Sequence, residues 1–145
     1  MTTSQIEVHV RAATRADVPR VIDLASQLGY RLDPAHAEAT IETTLDRVLD
    51  VATTETGIMG WIAVSRDNSL LGSGDAWIEG LIVDEAHRGR GVGVTLLEAA
   101  HEWAREGSCV RMRVRSNVVR EDAHRFYERE GYRIFKTQHN FEYRL

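Results

Sequence analysis

A single cysteine, Cys109, leaves the chain without an intrachain disulfide and without a Cys-rich metal site. Lysine is almost missing as well. Of the 18 basic residues all but Lys136 are arginine, which we read as a coding bias rather than chemistry. No apolar run approaches the ~18 residues that a membrane helix needs. Residues Met1–Glu7 lack the basic start and apolar stretch of a secretory signal, so a cytoplasmic protein is expected. Excess positive charge is absent too: the net charge is -4 and the pI near 5.9. Overall attraction to nucleic acid or an anionic membrane is therefore not expected. The six histidines show no H-x-x-x-H or related ligand spacing, and no metal is expected.

What is present suits one globular domain, 1–145. The chain has 145 residues, 43% hydrophobic and 28% charged, enough to bury ~68–70% of its unfolded surface without staples. Ile6, Val8 and Val10 alternate with polar residues, the pattern of a half-buried strand. Thr14 and Asp17 form a capping-box start, Val18, Val21, Ile22, Ala25 and Leu28 a helical stripe, and Gly29 a stop. Asp33-Pro34 opens a second helix, with Ile41, Leu45, Val48 and Leu49 on one face. Strands are expected at Val51–Thr54, Ile58–Ser65 and Ala76–Val83. A long helix then runs to Glu106, followed by a strand at Val110–Arg115 and a helix at Arg120–Glu130. Tyr132–Leu145 reads as one or two closing strands. This order predicts a mixed α/β sheet.

The strongest chemical signal is Arg88-Gly89-Arg90-Gly91-Val92-Gly93, set between an apolar strand and an amphipathic helix. A helix start leaves amide N–H groups unpaired and carries partial positive charge, and glycines keep side chains away from those donors. That combination cradles phosphate. The loop lacks Gly-Lys-Ser/Thr, and its glycine spacing is not G-x-G-x-x-G, so neither familiar nucleotide loop applies.

Arg88-x-x-Gly91-x-Gly93 resembles the [RQ]-x-x-G-x-[GA] signature of the GNAT N-acetyltransferase superfamily. Ile78-Glu79-Gly80-Leu81-Ile82-Val83-Asp84 resembles that family's preceding strand. Asn117 and the run Ala123-His124-Arg125-Phe126-Tyr127-Glu128-Arg129-Glu130-Gly131-Tyr132 resemble its second characteristic segment. The resemblance covers nearly the whole chain. It implies a central twisted, mostly antiparallel sheet with a splayed parallel pair, flanked by about four helices. It also implies transfer of an acetyl group from acetyl-coenzyme A to a primary amine, with the pyrophosphate held by Arg88, Gly89, Arg90, Gly91, Val92 and Gly93. The expected acceptor is a small-molecule amine. A protein amine, or a non-catalytic acyl-coenzyme A-binding module, is the alternative.

Glu79 is the candidate base. Period-2 alternation places it on one strand face with Trp77, Leu81 and Val83, where a charge needs a purpose. Relatives use an acidic residue on this strand as base or amine contact; an ion pair with a nearby arginine would also account for it. Gly80 marks a bulge or close backbone approach. The resemblance assigns the backbone of Leu81, Ile82 and Val83 to the pantetheine arm of the cofactor. It makes Tyr127 the acid for the departing thiolate and a cofactor contact, whereas helical spacing alone also fits a core aromatic. Asn117 is either a helix-start cap, a cofactor partner, or both. Tyr30, Asp75 and Trp77 lie where relatives border the acceptor pocket. Cys109 is expected to be buried packing. Arg111, Arg113 and Arg115 share a strand face, and pairing with acids of a neighbouring element is expected rather than nucleic-acid binding. The closing strands could pair across a homodimer.

Overall fold

The computed structural model describes residues 7–43, 45–72 and 74–145. It divides into two compact units, Met1–Arg115 and Ser116–Leu145. Ile6, expected in the first strand, lies outside the described residues.

The first unit is built on one five-stranded sheet in the order β1 (His9–Ala12), β2 (Arg47–Thr54), β3 (Gly57–Arg66), β4 (Asp75–Val83) and β5 (Arg111–Val114). The first four strands pair antiparallel; β4 and β5 are parallel. Register sorts the side chains cleanly. Leu49, Val51, Trp61, Ala63 and Ile82 face one side, while Ala52, Gly60, Ile62 and Leu81 face the other.

Helix α1 (Val18–Ser26) covers the first side, burying Val21, Leu24 and Ala25 in one cluster with Val51, Trp61 and Ile82. Trp61 Nε1 donates to Val21 O at 3.1 Å, which satisfies the indole in an otherwise apolar layer. The expected capping box is present at Thr14 and Asp17. Asp17 also receives a forked pair from Arg11 at 2.7 and 3.0 Å. The Arg11 guanidinium, helped by Thr14, pulls the buried Asp17 carboxyl down to about 2.

Helix α3 (Val92–Glu106) covers the other side with Val92, Leu96, Leu97, Ala100 and Ala104. Its first turn lies close against the sheet. A Cβ on Gly60 would stand 3.2 Å from Val92 Cγ1 and 2.8 Å from Ile82 O.

Helix α2 (Pro34–Glu42) starts as expected, with Asp33 accepting from Ala35 N, but it stops early. Val48 and Leu49 belong to β2, not to this helix, and Leu45 is exposed. β2 is an inner strand with both faces covered, so its apolar residues run on without alternation and mimic helical spacing.

In the second unit, α4 (Glu121–Arg129) ends where Tyr132 N donates to Tyr127 O at 2.9 Å. The expected strands in Tyr132–Leu145 are not observed: no part of that segment is in a sheet, and Phe141 and Tyr143 are exposed. An alternating pattern needs a neighbouring strand before it becomes a strand itself. No helix among the described residues is long and apolar enough to cross a membrane.

Candidate active site

The β3–β4 ladder breaks at one point. Ala63 pairs with Gly80 and the next residue, Val64, pairs with Ile78, which leaves Glu79 as the extra residue of a β-bulge. The bulge corrects the expectation from alternation. Trp77 still lies on the α1 side with its partner Ser65, but Leu81 and Val83 lie on the α3 side. Glu79 reaches Arg47 of β2, Nη2 to Oε1 being 3.8 Å, with both side chains partly exposed. Gly80 fits the expected close approach, since a Cβ there would press on the Trp61 ring at 3.0 Å.

The same place is where β4 parts from β5. Their pairing runs from Asp75–Arg111 to Ile78–Val114 and ends there, so among the described residues Glu79–Val83 have no partner strand on that edge. The backbone of Leu81, Ile82 and Val83 is thus available on one side to an extended ligand.

Next to this open edge stands the first turn of α3. Gly91 is its N-cap in the left-handed conformation (φ 83°), and Gly89 is left-handed as well (φ 77°). A Cβ at either position would meet nothing within 4 Å, so backbone angle rather than crowding at that atom requires glycine. The first helical bond is Thr95 N to Gly91 O at 3.0 Å, leaving the amides of Val92, Gly93 and Val94 without helical carbonyls. No acidic residue lies in that turn, and Arg88 and Arg90 are exposed beside it. These donors and charges suit a pyrophosphate.

The loop that carries the cradle is tied down. Asp84 accepts from Arg20 at 2.8 Å and Gln27 at 3.2 Å, both from the α1 region, while its own amide donates to Met59 O at 2.8 Å. Glu85 N in turn donates to Gln27 Oε1 at 3.0 Å.

Beyond the bulge, Asp75 is 3% exposed and its carboxylate takes Arg111 Nε at 2.7 Å and Arg113 Nη1 at 3.0 Å. The expected ion pairing of this arginine face is therefore present, and Asp75 is engaged as its partner. Trp77 carries the Arg115 guanidinium 3.8 Å above its ring. Tyr30, in the loop beyond α1, is exposed. Cys109 is half-buried rather than buried.

Within the second unit, Tyr127 is half-buried between Phe126 and Tyr132, with ring centroids 5.3 and 5.4 Å away. Burial raises its phenol above the ordinary value, against a smaller opposing pull from Arg120. Asn117 does not cap α4. Its side chain accepts from Val119 N at 3.1 Å, and the α4 N-cap is Arg120. The structure brings Glu79, the open β4 edge and the cradle together in one unit; Asn117 and Tyr127 belong to the other. Arg47 escapes the sequence reading, because it falls inside what looks like a continuing helix.

Residues 11–132 match the model of the acetyltransferase (GNAT) family. Over 56 residues the chain is 43% identical to an aminoalkylphosphonate N-acetyltransferase of Salmonella typhimurium, a stretch covering 39% of this chain and 36% of that protein. A transcriptional regulator from Bacillus halodurans superposes with a TM-score of 0.81 at 27% identity, over 94% of this chain and 100% of that one. AAC(6')-Iy, solved with a coenzyme A bisubstrate analogue, superposes with a TM-score of 0.83 at 19% identity, over 96% and 99% of the two chains.

Proposed function

The chain belongs to the GNAT acetyltransferase family, and from that premise we propose that it moves the acetyl group of acetyl-coenzyme A directly to the primary amine of a small molecule. The observation that carries the proposal is the meeting of the unpaired β4 edge, the Gly91 cradle and the bulged Glu79 in one unit. A small acceptor is supported by the relatives, among them an aminoalkylphosphonate N-acetyltransferase and a protein solved with an acetylneamine conjugate.

Acetyl-coenzyme A would supply an acetyl thioester, whose C–S bond breaks as the new C–N bond forms. Arg88, Arg90 and the amides of Val92, Gly93 and Val94 would hold its pyrophosphate, and the Leu81–Val83 backbone its pantetheine arm. An alkylammonium with a pKa near ~10.4 is almost wholly protonated at neutral pH and has no lone pair to attack with. Glu79 takes that proton, directly or through a water. A β4 backbone amide at the bulge donates to the carbonyl oxygen as it gains charge. Tyr127, kept protonated by burial within its own unit, is the residue we propose as acid for the departing sulfur.

The test is thiol release from acetyl-coenzyme A over a panel of amines, with wild type and Glu79→Gln compared across pH. We expect the variant to lose ~100-fold at neutral pH and to recover part of it at high pH, where the amine is already neutral. Equal turnover at every pH would return Glu79 to a purely structural role.

A further inference from the structure

We infer that the amine acceptor also carries an anionic group, a carboxylate or phosphonate on a short spacer, and that Arg47 holds it. This rests on the acetyltransferase reading above, and in particular on Glu79 meeting the amine.

The geometry is unusual for a surface ion pair. Arg47 is on β2 and Glu79 on β4, so the two reach for one another over β3, across ~9–10 Å of sheet. The β3 residues on that face between the two strands, Ala63 and Ser65, are small. Arg47 pairs with Ser65, and Ser65 with Trp77, so the three stand in one cross-strand row beside the bulge.

Charge decides what can enter there. Glu79 is the one carboxylate within ion-pair reach of Arg47 among the described residues. When Glu79 receives the ammonium of an acceptor, the Arg47 guanidinium loses its counter-charge in a half-covered position. An acceptor with its own anion replaces that counter-charge; a simple alkylamine leaves Arg47 unmatched. A polycation would do worse, because the row continues to Trp77 and Arg113, with Arg115 stacked on the indole. Asp75 receives both Arg111 and Arg113. Asp67, which accepts from Trp77 Nε1, faces Arg115. A guanidinium also offers the forked donors that carboxylate and phosphonate oxygens accept.

The experiment compares 3-aminopropylphosphonate, 4-aminobutyrate, propylamine and spermidine as acceptors, in wild type, Arg47→Gln and Arg47→Lys. We expect wild type to favour the phosphonate over propylamine by at least tenfold in kcat/KM. In Arg47→Gln that ratio falls at least tenfold through KM, and Arg47→Lys restores part of it. A wild-type preference for propylamine or spermidine, or a ratio unchanged in Arg47→Gln, overturns the inference while leaving acetyl transfer standing. Calorimetric titration of 3-aminopropylphosphonate supplies a readout independent of turnover. Binding by wild type that weakens in Arg47→Gln supports the anion site even if no amine is acetylated; no binding to wild type overturns it.

Discussion

Asp75 and Arg111 stand opposite one another across the parallel strand pair, and the buried carboxylate of the first receives Nε of the second at 2.7 Å. With Arg113 at 3.0 Å on the other oxygen, one carboxylate clasps β5 to β4 over the four residue pairs where they touch. The clasp stops just before the strands part. Removing the charge leaves two guanidiniums facing an uncharged amide. We expect Asp75→Asn to lower stability by about 1–3 kcal/mol, less than for a fully buried pair because Arg111 is half exposed. Denaturant unfolding checks this.

Asp17 makes stability depend on acid. Its folded pKa of about 2 lies below the ordinary carboxylate value near ~3.9, so the fold favours its charged form. The stabilisation is complete above the unfolded value and is lost as pH falls through about 2. Asp17→Asn should therefore cost about 1–2 kcal/mol at pH 7, discounted for the exposed Arg11 partner. The gap from wild type should close on acidification, as followed by thermal unfolding at several pH values.

Asp50 has the opposite sign. It is buried on the α3 side of β2, opposite Ile62, and burial raises its carboxyl above the ordinary range. The charged form is disfavoured in the fold, so stability falls as pH rises through the shifted value. Asp50→Asn is expected to raise the melting temperature at pH 7 and to give progressively less gain under acid conditions. A lower melting temperature at pH 7 would mean that the charge has a partner of its own.

Tyr127→Phe separates acid catalysis from packing. The ring stays between Phe126 and Tyr132, and only the hydroxyl goes. Turnover should fall by ~100-fold with acetyl-coenzyme A affinity within about threefold. Wild-type turnover in the variant would make Tyr127 a packing residue.

Much of this was legible in the residues because local rules acted alone. The Gly91 N-cap, the Thr14–Asp17 box and the α1 and α3 stripes each depend on residues three or four apart. The departures came where a distant partner decides. Val48 and Leu49 keep helical spacing with Ile41, and only the covering of β2 on both faces makes them strand. Gly80 signalled irregularity, yet the bulge at Glu79 depends on which β3 residue faces it. Asp75 finds its arginines 36 and 38 positions later, a relation that no spacing rule reads. Arg47 enters the candidate site for the same reason, through pairing across β3.

The account stands most directly on the cradle, and calorimetric titration of acetyl-coenzyme A into wild type and Gly91→Asp tests it. The substitution sets a side chain at a left-handed position and a negative charge where phosphate would lie. We predict saturable binding to wild type, weakened at least tenfold in a variant that remains folded by circular dichroism. No binding to wild type, or equal affinity in the two proteins, would contradict the assignment of Arg88–Gly93.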